Sequence, residues 1–327
     1  MRNEKILITG GAGFIGHHLA QRFLADGRKV VLFDALLPFS SPPDSSYEDS
    51  LAERLQVLDT GAVLVRGDIR DRAAVEQALA ANTPDVVIHL AAIPLSRAAN
   101  SFSEDAVQIN INGTANLLES IRTVGSVKRF VFVSTSFVYG DFRKTPADEE
   151  HPLNPIDLYG ATKISGEMLT KGFGARFGIE YSIVRPSAVY GCGDSNQRVV
   201  QKMVENAIAG RPLVMHNGGA SCLDFTHVDD TVSGIVLAAL HANAKGEIFN
   251  ITRGEGRSIR DLVAILKERF TDLTVTDCGQ DERRPERGGL DVSKARKLLG
   301  YSPRYSLESG IEKYIDSILA SGRSRCL

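Results

Sequence analysis

Cysteine is scarce in this sequence: four residues in 327, at Cys192, Cys222, Cys278 and Cys326, with no Cys-x-x-Cys pair among them. That excludes a disulfide scaffold and leaves incidental reduced thiols, as expected of a cytoplasmic protein. The seven His are scattered without ligand spacing, so no metal is expected. Neither sign of charge is in excess: 38 Lys and Arg stand against 40 Asp and Glu, net −2, with no basic run. A nucleic-acid partner is therefore not expected. No apolar run approaches the length of about 20 residues that spans a membrane, so no membrane partner is expected. The first apolar strand opens at Lys5, which leaves no room for a signal peptide. What remains, 43% hydrophobic and 24% charged residues, is the composition of a soluble globular protein. The length suffices for one large α/β domain or two closely joined ones.

The most informative stretch is Lys5-Ile-Leu-Ile-Thr9 followed by Gly10-Gly-Ala-Gly13-Phe-Ile-Gly16, with a helical pattern starting at once. A strand that runs through three spaced glycines into a helix is the geometry that holds a dinucleotide pyrophosphate. Gly10 permits the tight turn, Gly13 lets the backbone approach the phosphates, and Gly16 allows close helix–strand packing. Phe14 and Ile15 then open a helix whose unpaired N–H groups face the anion. The glycines alone could mark a tight turn in any parallel sheet, so the next strands decide. Lys29-Val-Val-Leu-Phe33 ends at Asp34, 18 residues after Gly16. An acid at that tip accepts the adenosine ribose hydroxyls and repels a 2′-phosphate, which favours NAD over NADP. Ala62–Arg66 leads to Asp68 and Ile69, and Asp85–Leu90 leads to Ala91 and Ala92, small enough for a flat cofactor to lie against the backbone.

Two further strands, Arg129–Val133 and Glu180–Arg185, continue the alternation with helical patterns up to Pro186. The fold class is α/β: a Rossmann-type doubly wound parallel sheet with a smaller C-terminal substrate-binding lobe. Residues 1–185 are expected to form the dinucleotide-binding domain, with a returning segment near 226–270 whose strand is Glu247–Ile251. Residues 186–327 are expected to form mainly the lobe. The Pro- and Ser-rich stretch from Leu36 to Ser50 reads as a surface loop.

Tyr159-Gly-Ala-Thr-Lys163 opens a helix, and residues four apart share a helical face. A free phenol titrates at about 10 and is a poor base at neutral pH. A nearby ammonium, with a positive nicotinamide ring, would lower that value. The fifth strand leaves the sheet through Ser134-Thr135-Ser136-Phe137, which places hydroxyls beside the expected nicotinamide.

The runs T-G-G-A-G-F-I-G (Thr9–Gly16), V-S-T-S-F-V-Y-G (Val133–Gly140), Y-G-A-T-K (Tyr159–Lys163) and R-P-S-A-V-Y-G (Arg185–Gly191) resemble the extended short-chain dehydrogenase/reductases. Within them the chain resembles the NAD-dependent epimerases and dehydratases of nucleotide sugars. D-F-T-H-V-D-D (Asp224–Asp230) and D-V-S-K-A-R-K-L-L-G-Y-S-P (Asp291–Pro303) extend the similarity over nearly the whole chain. The resemblance implies bound NAD, a catalytic set of Thr135, Tyr159 and Lys163, and often a homodimer packed through helices beside the active site. It implies that Leu90, Asn110, Ser134 and Pro186 join Tyr159 and Lys163 around the cofactor, and that Ser136, Phe137 and Arg284 face a nucleoside-diphosphate sugar.

Departures from the family pattern narrow the chemistry. Relatives that eliminate water across C5–C6 carry an acid pair after the catalytic Thr, and here those positions are Ser136 and Phe137. An epimerase, most simply at C4 through a transient 4-keto sugar, needs no such acids. A 4,6-dehydratase with displaced acids, a C4 dehydrogenase and a non-catalytic nucleotide-binding protein are the alternatives. Leu223, Ala188 and Ala99 stand where relatives place an Arg, an Asn and a Ser that commonly touch substrate. Arg283, Arg284 or Arg287 could replace the lost phosphate contact.

Overall fold

A computed structural model describes residues 4–38, 45–279 and 285–320. Among these, seven strands make the central sheet: β1 (Lys5–Thr9), β2 (Lys29–Asp34), β3 (Val63–Arg66), β4 (Val86–His89), β5 (Arg129–Val133), β6 (Tyr181–Arg185) and β7 (Glu247–Asn250). Their spatial order is β7-β6-β5-β4-β1-β2-β3, and every pairing is parallel. A parallel sheet must be covered on both faces, which is why each central strand reads as an unbroken apolar run. In β1, Ile6 and Ile8 pack into one layer and Leu7 into the other, none more than 1% exposed.

One layer holds α1 (Phe14–Ala25), α7 (Val228–Leu240) and α9 (Ser293–Leu299). The opposite layer holds α3 (Arg72–Asn82), α4 (Gly113–Val124) and α5 (Leu158–Phe177). Leu19, Ala20 and Phe23 of α1 are fully buried at helical spacing against the sheet. From β1 the chain moves outward through β2 and β3, then crosses back to β4 on the other side of β1. The carboxyl ends of β1 and β4 therefore open a crevice where a ligand can enter.

Beyond β6 the chain builds a separate core from α6 (Val199–Ile208), α8 (Ile259–Arg269) and α10 (Leu307–Ala320), with Val204, Leu262, Leu266, Ile311 and Ile315 fully buried. Between these helices α7 and β7 return to the sheet, and Val292, Ala295, Leu299 and Tyr301 also pack on its α1 face. One expectation is corrected: part of the Leu36–Ser50 stretch is not a loop, because α2 (Ser45–Leu55) starts inside it. Glu48 in its first turn suits the positive end of a helix, a signal that the Pro- and Ser-rich composition outweighed in the sequence.

Candidate active site

At the crevice the β1–α1 turn presses against the tip of β4. Gly10 has φ +69°, and a Cβ there would lie 2.7 Å from the Ala91 nitrogen. A Cβ on Gly16 would fall 2.4 Å from the Gly10 carbonyl oxygen, so neither position admits a side chain without moving backbone. Gly13 caps α1 without any side-chain hydrogen bond, and the first turn carries no acid. Its N–H groups are therefore left for an anion. They open into a cleft of about 480 Å³. Gly10, Gly13, Phe14, Ile15, Gly16, Asp34, Asp68, Ile69, Leu90, Ala91 and Ala92, all expected to touch cofactor, line it together. Asp34 accepts from the Leu36 and Ala12 backbone N–H groups at 2.8 and 3.0 Å, while burial pushes its carboxyl up. Asp68 is engaged by the Arg70 guanidinium at 2.7 Å.

The remaining expected cofactor residues take supporting places. Asn110 accepts from Ile93 N–H at 2.8 Å and donates to Thr162 Oγ1 at 3.0 Å, tying the segment after β4 to α5. Ser134 donates to Glu167 at 2.6 Å, and the Pro186 carbonyl accepts from Ser136 N–H at 2.9 Å.

Asp157 starts α5 by accepting from Gly160 N–H at 2.7 Å. This sets Tyr159, Lys163 and Glu167 along one face at four-residue spacing. Tyr159 is 8% exposed. Burial pushes its phenol up to about 12, while the Arg198 charge and a hydrogen bond with the Thr135 side chain pull the other way. The Lys163 ammonium donates to the Val133 carbonyl at 2.8 Å and lies 5.0 Å from the Phe132 ring centre. Burial lowers it to about 8, with Glu167 opposing. The Lys163 ammonium, expected to bring the phenol down, is turned here to the β5 backbone, and the cation whose charge opposes the effect of burial on Tyr159 is Arg198.

Glu167 belongs to a buried network. Arg185 donates to it through Nε at 2.9 Å and Nη2 at 2.7 Å, and the two side chains are 1% and 0% exposed. Arg185 also reaches Tyr139 Oη at 3.0 Å, whose own proton goes to Asn250 at 2.7 Å. The catalytic helix, the exit of β5, β6 and β7 are thus joined by charged hydrogen bonds, which are stronger than neutral ones.

Ser136 meets Ser187 at 3.1 Å. Phe137 turns its ring edge-on to Tyr159, with centroids 5.7 Å apart, and the Arg287 guanidinium stacks 4.2 Å from the Phe137 centroid. Arg283 and Arg284 lie outside the described residues. Ala188 sits at φ +37°, Ala99 is fully buried, and Leu223 pairs across a short antiparallel ladder with Arg257, which is bonded to Glu308 at 2.8 Å.

Sequence reasoning missed Arg54, Arg97 and Arg198, which all line the cleft with Ser195. The only signal for Ser195 and Arg198 was the turn-rich run Gly191-Cys-Gly-Asp-Ser-Asn-Gln-Arg198, which begins at the last residue of a family motif.

A glycine cradle with an uncapped helix end and an acid at the β2 tip line one cleft, a buried Thr–Tyr–Lys set lies at the exit of β5 and on α5, and the model of the NAD dependent epimerase/dehydratase family matches residues 6–252. The chain belongs to that family. Its cofactor is NAD. Among its relatives is the UDP-glucose 4-epimerase of Mycolicibacterium smegmatis, 32% identical over 320-odd residues that cover 95% of this chain and 97% of that protein. A trifunctional UDP-glucose 4,6-dehydratase of Arabidopsis thaliana is 30% identical over 96% of this chain and 47% of its own length. The solved UDP-glucuronic acid 4-epimerase of Bacillus cereus, in complex with UDP-glucuronic acid and NAD, superposes with a TM-score of 0.88 at 32% identity, covering 97% of this chain and 99% of that one. No helix among the described residues is long and apolar enough to cross a membrane, and none of their His, Cys, Asp and Glu form a group able to hold a metal.

Proposed function

We propose that this family member is a UDP-sugar 4-epimerase. The observation that carries the reading is Phe137: beside the Tyr159 phenol, where a dehydratase would need an acid, stands an aromatic ring packed under Arg287. Asp157, the carboxylate whose charge reaches Tyr159, is occupied in capping α5. The relatives that act on UDP sugars at C4 support the same reaction.

The cleft residues from Gly10 to Gly16, with Asp34, Asp68 and the β4 tip, would hold NAD, which supplies hydride acceptance and return at C4 when bound. The chain's own part is proton handling. Tyr159 takes the C4 hydroxyl proton, assisted by the Thr135 hydroxyl, and gives it back after the keto sugar has turned over. The Arg198 charge acts in the direction a base requires. Lys163, held between Val133 and Glu167, keeps positive charge beneath the site. Ser136 and Phe137 face the sugar, and Arg198 and Arg287 are the cations for its diphosphate, in place of the Arg absent at Leu223.

In this reading residues 1–185 carry the cofactor and most of 186–327 shape the sugar pocket. The protein acts in the cytoplasm as a homodimer, to which the half-exposed Phe102, Val107 and Met168 near the active-site helices contribute an apolar surface. Turnover of UDP-glucose or UDP-glucuronic acid in D₂O tests the reaction. The product should have the mass of the substrate and no deuterium on carbon. A product one water lighter, carrying solvent deuterium, would overturn the epimerase in favour of the dehydratase.

A further inference from the structure

The dinucleotide cleft has a second wall that does not come from the β1–α1 turn or the strand tips. Ser195, Asn196, Gln197 and Arg198, from the segment between β6 and α6, line it together with the glycine cradle. Two hydrogen bonds fasten this segment to the helices that follow β1 and β2. His18 Nε2, on α1, bonds the Cys192 carbonyl at 2.8 Å. Arg54 Nη2, on α2, donates to Ser195 Oγ at 3.0 Å. Arg54 is 5% exposed and is itself held by its Nε bond to the Ser50 carbonyl at 2.9 Å. Between the two fastenings Gly193 has φ +82°, and a Cβ there would fall 2.8 Å from His17 Cε1. Close approach to α1 is thus built into the backbone. Farther along, the Arg198 guanidinium lies 5.8 Å from the ring centre of Phe14, the first residue of α1.

We propose that residues 191–198 form a strap closing the dinucleotide site, and that the Arg54–Ser195 bond is the latch that retains the cofactor. The strap brings the far lobe across the cleft onto α1 and α2, so a dinucleotide seated on the glycine cradle can leave only after the latch opens. Its purpose rests on the epimerase reading: an epimerase must keep its reduced cofactor until the hydride is returned, whereas a dehydrogenase must release it. A partly buried hydrogen bond from a guanidinium is strong enough for the task, and its loss should speed release roughly ten- to a hundredfold.

The test uses the full chain loaded with NAD, without sugar. Release is followed by trapping freed NAD with an excess of a second dehydrogenase and its substrate, in the parent, Ser195→Ala and Arg54→Met. Ser195→Ala removes one oxygen from a loop, so it carries the test even where Arg54→Met fails to fold. The expected result is release faster by roughly ten- to a hundredfold in both variants, and turnover that decays with time in the presence of UDP-sugar until free NAD is added. Release from Ser195→Ala within twofold of the parent overturns the latch, whatever the sugar product is. A dehydrated product together with accelerated release would sink the epimerase reading and leave the strap standing.

Discussion

Glu167→Gln should destabilise the protein by about 3 kcal/mol and shift the alkaline limit of its activity downward. The carboxylate accepts Ser134 Oγ at 2.6 Å and both Arg185 nitrogens at 2.9 and 2.7 Å, with essentially no solvent access. Removing one partner of such a buried pair typically costs about 3–5 kcal/mol, because the other charge remains without compensation. The Gln amide oxygen can still accept one Arg185 bond, so the lower end applies. For a chain of this size that corresponds to roughly 4 °C in the melting temperature. Adding Arg185→Met should recover part of the loss, since no buried charge is then left unpaired. The catalytic consequence follows from Lys163, which burial brings from 10.5 to about 8 while Glu167 holds it up. Across that window the unfolded chain binds a proton that the folded protein does not, so this group's contribution makes stability rise with pH from about 8 to 10.5. Without Glu167 the Lys163 value falls further and the window widens downward. A pH profile of kcat, alongside thermal unfolding by circular dichroism, reads both effects. A melting temperature within about 1 °C of the parent, or a kcat that drops with its alkaline limb unmoved, would refute the reasoning.

Tyr159→Phe should lower kcat by roughly 10²–10⁴-fold, the usual contribution of a positioned acid–base group, and leave NAD binding near the parent value in a titration. Asp34→Ala should weaken NAD by about 1.5–3 kcal/mol, the range for hydrogen bonds to a charged group, and narrow the preference over NADP in parallel titrations. Ala188→Asn should stabilise the fold by about 0.5–1 kcal/mol, because Asn tolerates the left-handed backbone that Ala188 adopts at φ +37°; urea unfolding measures it.

The sheet was legible in the chain because its determinants are local. Each of the seven strands is a short apolar run with turn residues after it, and the observed ends differ from the expected ones by a residue at most, as at Ala62 and Leu90. The start of α2 was hidden because serines serve loops and helix starts alike. The glycine cradle and the Tyr159–Lys163 spacing were equally visible, since φ above zero, close backbone approach and the four-residue helical repeat are properties of neighbouring residues.

What the sequence alone determined, then, is the order of elements, the glycine loop after β1 and the placing of Tyr159 and Lys163 on one helix face. Only the folded chain decided which charges surround that phenol. Arg198 comes to it from a lobe 39 residues further along, Arg287 reaches Phe137 across 150 residues, and Glu167 finds Arg185 by the docking of a helix on a strand. Arg54 meets Ser195 across 141 residues. None of these pairs has a periodicity to announce it, because the energy of a charge depends on distance and burial. Both are set by how the layers pack, not by spacing along the chain.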